Sequence, residues 1–143
     1  MIISKETDLW QTPKELFNKL DDEFHFDYDV CQNGENGLKP YLGDYLEKEY
    51  SNCVCFMNPP YSRPILFIGR ALELSKSGVT TICLLKVDTA TKWFAMLWDY
   101  ELHRPKPGIK IRFLPKRVNF THPYKKGSSN FFCSMVVIIE GDV

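Results

Sequence analysis

Apolar segments of two lengths alternate along the chain, and this alternation constrains the fold more than any other feature of the sequence. Short runs such as VCFM (54–57) and TTICLLKV (80–87) have the continuous apolar character of strands buried on both faces. A longer segment between them starts at Pro64, carries apolar residues at helical spacing to about Lys76, and is stopped by Gly78. Strands that alternate with helices predict an α/β fold around a mostly parallel sheet.

The remaining elements extend this pattern in both directions. A first helix is predicted with Thr12 as its N-cap, Pro13 at its first position and Glu15 completing a capping box. The segment FHFDYDV predicts a strand with four residues on one face: Phe24, Phe26, Tyr28 and Val30. A helix is predicted over TATKWFAMLWDY, and strands over GIKIRFLP and FFCSMVVIIE. Because no helix separates these last strands, we expect them to form an antiparallel edge.

Length and composition predict one globular domain over residues 1–143. The chain is 44% hydrophobic and 25% charged, and it contains neither a run long enough to span a membrane nor an export signal. We therefore expect a cytoplasmic protein without membrane contact. The five cysteines are odd in number and mostly lie in apolar runs, which predicts buried, reduced thiols. Their spacing does not match a zinc site, so no metal is expected.

The net charge of zero hides a strong asymmetry. Residues 1–101 carry 16 acidic against 10 basic residues, whereas residues 102–139 carry eight basic residues and no acidic one. Such a segment is typical of contact with a polyanion. A solvated basic surface explains the charge equally well.

The sequence VCFMNPPYS places a rigid corner between a strand and a helix. Pro59 and Pro60 fix their own φ angles and lack N–H donors, so carbonyl groups there stay free to accept hydrogen bonds. The side-chain oxygen of Asn58 and the carbonyl of Pro59 can then converge on one NH₂ group, while Tyr61 offers a flat face to a ring. Since ligands of open α/β sheets bind beyond the carboxyl ends of strands, we expect a binding site at this corner. A tight turn is the simpler structural alternative.

The NPPY motif resembles the catalytic motif of amino-methyltransferases that use S-adenosylmethionine. Further segments, DLWQTPKELFNKLDDEFHFDYDVC, LLKVDTATKWF, RFLPKRVNF and SSNFFCSMVVII, follow in the order of the phage-type Dam family of DNA N6-adenine methyltransferases. The resemblance extends over roughly residues 8–139. It implies a Rossmann-like methyltransferase fold, a phage or prophage origin in a bacterial host cell, and methylation of the N6 amine of adenine in DNA.

The resemblance assigns the catalytic role to the corner: Asn58, Pro59, Pro60 and Tyr61. The oxygens of Asn58 and Pro59 would hold the amino protons of adenine and stabilise the positive charge that grows on the nitrogen. The target adenine must first be flipped out of double-stranded DNA, and Tyr61 would stack against it.

The resemblance also implies S-adenosylmethionine as the cofactor. The residues expected to hold it are Trp10, Gln11, Thr12, Pro13, Asp29, Cys31 and Asp44. A helix or turn residue explains Asp44 at least as well. The usual glycine-rich loop is imperfect here, with Gly34 and Gly37 at a different spacing.

Basic and polar residues of the second half are expected to bind DNA. They are Lys86, Lys110, Arg112, Lys116, Arg117, Asn119, Lys125 and Lys126, with Asn119 as a candidate for reading a base edge. Trp93, Phe94 and Trp98 are expected in the core. The chain is too short for a separate target-recognition domain, so sequence reading would come from loops, from DNA shape or from a second subunit in a homodimer.

Two alternatives stay open. The same corner suits methylation of RNA or of a protein glutamine, both of which offer a planar amino group. The imperfect glycine loop motivates a catalytically inactive DNA-binding module on the same fold.

Overall fold

The computed structural model describes residues 10–31, 44–122, 124, 128–129 and 132–143. It contains three helices and nine strands within these ranges: α1 (Lys14–Phe24), β1 (Tyr28–Asp29), β2 (Val54–Met57), α2 (Pro64–Ser75), β3 (Thr80–Lys86), α3 (Lys92–Ala95), β4 (Trp98–Asp99), β5 (Arg104–Pro105), β6 (Ile109–Phe113), β7 (Phe120–Thr121), β8 (Ser128–Ser129) and β9 (Ser134–Ile139).

A five-stranded sheet in the order β1-β2-β3-β9-β6 forms the centre of the fold. The strands β1, β2 and β3 pair in parallel, whereas β9 pairs antiparallel with both β3 and β6. Four of the five strands therefore run in one direction, and β9 is the reversed one. The predicted α/β class, the mostly parallel sheet and its antiparallel side are confirmed.

Both faces of β2, β3 and β9 are covered, and this explains why these three strands are mostly apolar, whereas β6 carries the exposed Lys110 and Arg112. One core, under α1, contains Phe17, Phe56 and Ile82, and the other, under α2, contains Ile68 and Cys83 among others. Successive residues of β2 and β3 alternate between these two cores. Truncating a fully buried Phe costs about 3–5 kcal/mol, so we expect the α1 core to contribute much of the free energy of folding on this face of the sheet.

The start of α1 differs from the prediction. Pro13 is the N-cap residue, no side chain caps the helix, and the first helical residue is Lys14. The predicted capping box is therefore wrong. The physical reason is that the Thr12 hydroxyl accepts a hydrogen bond from another part of the chain, the side chain of Asn58.

The predicted strand FHFDYDV is also shorter than expected. Phe24 ends α1, and His25 adopts a left-handed conformation with φ of 55° that turns the chain. Phe26 joins the α1 core, whereas Tyr28 and Val30 pack on the opposite face. The expectation of one shared face is wrong because the helix continues to Phe24 and the turn at His25 resets the alternation.

The predicted helix over TATKWFAMLWDY is reduced to the single turn of α3. Thr91 caps it, since the Phe94 N–H donates to the Thr91 hydroxyl over 3.2 Å. Trp98 and Asp99 instead form β4, and the Asp99 carboxylate accepts hydrogen bonds from the backbone of Glu101 and Leu102. This local bonding stabilises a turn that competes with helix.

Three of the five cysteines are buried as predicted, and all five are free thiols. Cys53 directly precedes β2 and Cys55 lies within it, with their sulfur atoms 3.9 Å apart. Cys133 is exposed, which corrects its expected burial; it lies before the first residue of β9, outside the covered part of the sheet. Among the described residues, no helix is long and apolar enough to cross a membrane.

Candidate active site

The NPPY corner lies at the carboxyl end of β2, between this strand and α2. Asn58 is half-buried, and Pro59 and Pro60 are buried. The Arg63 N–H donates to the Pro60 carbonyl over 3.1 Å and closes a turn before α2 begins at Pro64. The carboxyl ends of β1, β2, β3 and β6 lie along one edge of the sheet, here called the site edge, because these four strands are parallel.

The Asn58 side chain is held by one end only. Its Nδ2 donates to the Thr12 hydroxyl over 3.1 Å. Within the described part of the chain, no donor is bonded to its Oδ1 or to the Pro59 carbonyl. Two oxygen acceptors on adjacent residues are therefore without a donor among the described residues.

Tyr61 lies in a cluster of aromatic rings. Its ring meets Phe132 and Phe120 edge-on, with centroids 5.4 and 6.2 Å away. Its hydroxyl is buried and has no hydrogen-bond partner among the described residues. Burial raises the pKa of Tyr61 well above its usual range, so the hydroxyl remains protonated and able to donate.

A cavity of about 150 Å³ opens beside the corner. Eight residues line this corner cavity: Pro59, Tyr61, Pro64, Leu84, Leu85, Lys86, Trp93 and Phe132. Its walls are mostly apolar and include three aromatic rings, which suits a small planar ligand.

Two of the cavity's aromatic residues have no site role in the sequence analysis. Trp93 belongs to the core as predicted, with 7% of its surface exposed, and it lines the cavity as well. For Phe132 the sequence pattern predicts no role in the site. The signal that could have found it is its position just before the reversed strand β9, at the site edge.

The segment of residues 10–13 runs past the corner. Gln11 and Thr121 exchange two backbone hydrogen bonds, at 2.6 and 3.0 Å. The Trp10 ring packs edge-on against His122, with centroids 4.9 Å apart. Because Thr12 contacts Asn58, the predicted cofactor-binding residues of this segment lie beside the predicted catalytic ones.

Asp29 ends β1 at the same edge and is 3% exposed. It pairs in register with Phe56, two residues before Asn58. Cys31 follows and is buried; burial raises the pKa of its thiol well above the usual range, and the nearby Asp29 carboxylate raises it further. The thiol is therefore un-ionised.

Asp44 is exposed in a turn, with a φ of 62°. Its carbonyl accepts hydrogen bonds from the backbone of Glu47 and Lys48. No described contact joins it to the corner. Gly34 and Gly37 of the predicted glycine loop lie outside the described residues.

A groove of about 500 Å³ separates the start of α1 from the segment after β6. This α1 groove is lined by Pro13, Glu15, Leu16, Lys19, Leu114, Pro115, Lys116, Val118 and Asn119. Two predicted DNA-binding residues, Lys116 and Asn119, thus lie across the groove from the helix that follows Thr12. Arg117 is exposed between them.

Of the other predicted DNA-binding residues, those that the structure describes do not line the α1 groove. Lys86 lines the corner cavity, and its ammonium group lies 3.4 Å from the Asp88 carboxylate. Lys110 pairs with Glu140 at 3.5 Å, toward the edge opposite the corner. Lys125 and Lys126 lie outside the described residues.

Arg112 forms a two-pronged ion pair with Glu23, with nitrogen–oxygen distances of 2.8 and 2.6 Å. Its guanidinium also lies 5.3 Å from the centroid of the Phe24 ring. The hydrogen bond from Arg112 lowers the pKa of Glu23, and the same contact raises the pKa of Arg112. The positive charge of Arg112 is therefore paired with a carboxylate on α1. No group of three metal-ligating side chains occurs in the described ranges.

Comparison with known proteins identifies the family. The family model described as DNA N-6-adenine-methyltransferase (Dam) matches residues 2–141. The chain is 37% identical over 98 residues to the DNA N-6-adenine-methyltransferase of Haemophilus phage HP1, a match that covers 64% of the chain and 57% of that relative. It is 33% identical over 100 residues to the protein of the same name from Escherichia phage T1, covering 61% of the chain and 39% of the relative. The chain thus spans less than two thirds of the length of either relative. It belongs to the DNA N-6-adenine-methyltransferase (Dam) family.

Proposed function

We propose that this chain is an S-adenosylmethionine-dependent methyltransferase that modifies the N6 amine of adenine in DNA. The observation that carries the proposal is the NPPY corner: Pro59 lines a cavity with aromatic walls, and the neighbouring Asn58, which does not itself line that cavity, bonds to Thr12 through Nδ2. The names of the two phage relatives support the same activity. The reversed β9 beside three parallel strands is consistent with a Rossmann-like methyltransferase fold for residues 1–143.

The corner acts on the amine of the target base. The lone pair of this nitrogen is delocalised into the ring, which makes the amine a weak nucleophile. By accepting hydrogen bonds from its two protons, Asn58 and Pro59 would hold the nitrogen in place and favour its tetrahedral form. The same oxygens would stabilise the positive charge that develops there. No strong base is needed before the methyl group is transferred.

The residues at the site edge fit the proposed cofactor. S-adenosylmethionine, when bound, supplies an electrophilic methyl group on a sulfonium centre. Asp29 is a buried carboxylate at the end of β1, a position suited to accepting hydrogen bonds from ribose hydroxyls or an ammonium group. The 10–13 segment would cover the cofactor from the other side. Cys31 and Asp44 remain proposed contacts.

The corner cavity would receive the flipped adenine. Enzymes that act on a base in duplex DNA must take it out of the stack, and aromatic walls replace part of the lost stacking. Tyr61, Trp93 and Phe132 supply such walls. Pro60 keeps the corner rigid, which holds the oxygens in a fixed relation to the cavity.

The DNA backbone would lie along the site edge. Lys116, Arg117 and Asn119 follow β6 there, and Lys86 lies at the cavity itself. A homodimer would place a second set of such residues on the duplex. Since the relatives come from phages, the proposed setting is the cytoplasm of a bacterial host that carries the phage or prophage.

The test is incubation of the folded chain with methyl-labelled S-adenosylmethionine and duplex DNA of mixed sequence. We expect label in N6-methyladenine, and sequencing of the product would give the recognition site. Parallel reactions with RNA and with protein extract separate the alternative substrates. Cofactor binding without label in DNA would refute the proposal.

A further inference from the structure

We infer that the α1 groove binds one unstacked nucleotide of a DNA strand, with the base against an apolar floor and the phosphate on Lys19 and Lys116. The inference rests on the proposed function, from which it takes DNA as the ligand, and it adds a second contact site to the corner cavity. Lys19 belongs to no site that the sequence predicts.

The groove is separate from the corner cavity but joined to the same corner. It has a volume of about 500 Å³, the corner cavity has about 150 Å³, and no residue lines both. A volume of this size is typical of sites for small organic ligands. Pro13 lines the groove, and its neighbour Thr12 bonds to Asn58 of the corner. We therefore expect a strand whose adenine enters the corner cavity to reach the groove with another nucleotide.

The floor of the groove is apolar. Five of its nine lining residues have apolar side chains: Pro13, Leu16, Leu114, Pro115 and Val118. Leu16 and Leu114 pack against the α1 core but are only partly buried. A base that has left its stack regains contact on apolar side chains of this kind.

The charges on the two walls suit an anion. Lys19 lies on α1, and Lys116 lies on the opposite wall, in the segment after β6. Within the described part of the chain, neither lysine forms an ion pair. By contrast, Lys86, Lys110 and Arg112 each pair with a carboxylate. Two unpaired ammonium groups on facing walls favour a phosphodiester as the charged part of the ligand.

Two further polar side chains line the groove, those of Glu15 and Asn119, and both residues are exposed. The Glu15 carboxylate repels a phosphate, so we expect the phosphate at the lysines and Glu15 near the base. Carboxylate and carboxamide oxygens accept hydrogen bonds from the amino groups of bases. This combination favours a nucleotide over an acidic amphipathic peptide, which also has apolar and anionic parts.

The first experiment locates the base by nuclear magnetic resonance of methyl groups. The chain is titrated with a short single strand of DNA and, as the control, with an abasic strand of the same length. We expect the ring currents of a base to shift the methyl signals of Leu16, Leu114 and Val118, while the abasic strand leaves them nearly unchanged. Leu102, an exposed leucine outside the groove, should not respond to either strand. Equal shifts with both strands, or shifts confined to Leu84 in the corner cavity, would overturn the inference.

The second experiment compares Lys19→Gln with Lys14→Gln. Both lysines are exposed on α1, but only Lys19 lines the groove. At about 0.1 M salt we expect Lys19→Gln to weaken binding of the single strand about fivefold and to reduce the slope of log K against log salt by about 0.7. Lys14→Gln should change both quantities much less. Fluorescence anisotropy of a labelled strand measures them, and equal effects of the two variants would contradict the inference.

Neither measurement requires methyl transfer, so both decide the role of the groove even if the chain forms no N6-methyladenine. Conversely, if the chain methylates adenine but the methyl groups of the groove do not respond to DNA, the inference fails and the proposed function stands. An acidic amphipathic peptide is titrated in parallel. Shifts of the groove methyl groups with this peptide and not with DNA would refute a nucleotide as the ligand.

Discussion

At the scale of single residues, the corner combines two rigid prolines, an asparagine held by a hydrogen bond and a buried tyrosine hydroxyl. The prolines are fixed by their rings, and Asn58 is held by Thr12. The Tyr61 hydroxyl is buried without a partner among the described residues, which is costly in a folded protein. Such a group is retained when it serves a ligand or when its ring is needed for packing.

Replacing Asn58 with Ala removes one of the two acceptors. We expect kcat to fall about 100- to 1,000-fold, as for loss of one charge-stabilising group in other active sites, with binding of S-adenosylmethionine retained. Single-turnover labelling of DNA and calorimetry with the cofactor measure the two effects. Asn18→Ala, an exposed asparagine on α1, is the control. Turnover at the wild-type rate would remove Asn58 from the mechanism.

Replacing Tyr61 with Phe tests the buried hydroxyl through pH. In the unfolded chain a tyrosine loses its proton near pH 10, whereas burial raises the pKa of Tyr61 in the folded state. Above about pH 10 the folded state therefore binds more protons than the unfolded state, so stability falls as the pH rises. Tyr61→Phe should lose less stability than the wild-type chain between about pH 10 and 11.5. Urea unfolding at several pH values measures this, and parallel losses would contradict it.

At the scale of elements, the basic segment divides into parts with different surroundings. Lys116 and Arg117 follow β6 at the site edge, whereas Lys110 pairs with Glu140 toward the other edge and Arg112 with Glu23 on α1. Sequence alone shows only that all four are basic. Under the proposed function, we expect only the basic residues at the site edge to contact DNA.

Lys116→Ala and Lys110→Ala form a matched pair. We expect Lys116→Ala to weaken DNA binding uniformly across sequences and to reduce the slope of log K against log salt by about 0.9. Lys110→Ala should change the slope much less. Fluorescence titration at several salt concentrations distinguishes them, and equal slopes for the two variants would show that the site edge is not the DNA-binding edge.

The cap of α3 gives a prediction on stability. Thr91→Ala removes the side chain that accepts from the Phe94 N–H, at a typical cost of about 1 kcal/mol. The expected fall in Tm is about 3–5 °C for a domain of this size. Thr89→Ala, which removes an exposed hydroxyl from the same loop, should leave Tm nearly unchanged.

The elements that could be predicted from sequence are those whose pattern is set by burial. β2, β3 and β9 are apolar because both faces are covered, and α2 has a proline at its start and a glycine after its end. The predicted boundaries are wrong where a single local feature determines the backbone conformation: the left-handed turn at His25 and the turn stabilised by the Asp99 carboxylate. The corner could be predicted because its rigid residues are consecutive. The Thr12–Asn58 bond, the α1 groove and Phe132 could not, because they depend on contacts between distant segments.

At the scale of the whole molecule, the corner, its cavity and the groove with its basic residues lie along one edge of the sheet. A cofactor bound at this edge would stabilise the fold as a whole, because the unfolded chain has no such site.

Stabilisation by the cofactor distinguishes the proposed enzyme from a catalytically inactive DNA-binding module. S-adenosylmethionine at about 100 times its Kd should add about 2.7 kcal/mol to stability. For a chain of this size we expect Tm to rise by about 8–12 °C. Calorimetric scans with the cofactor, and with methionine as the control, measure the shift. An unchanged Tm would favour a DNA-binding module without enzymatic activity.

The position of β9 has a consequence for biosynthesis. This strand lies between β3 and β6, yet both of its neighbours precede it in the chain. During translation, β3 and β6 are completed while the strand that joins them is still inside the ribosome. The nascent chain therefore carries two unpaired sheet edges until residue 139 has emerged, and a stalled or truncated product would expose them to aggregation.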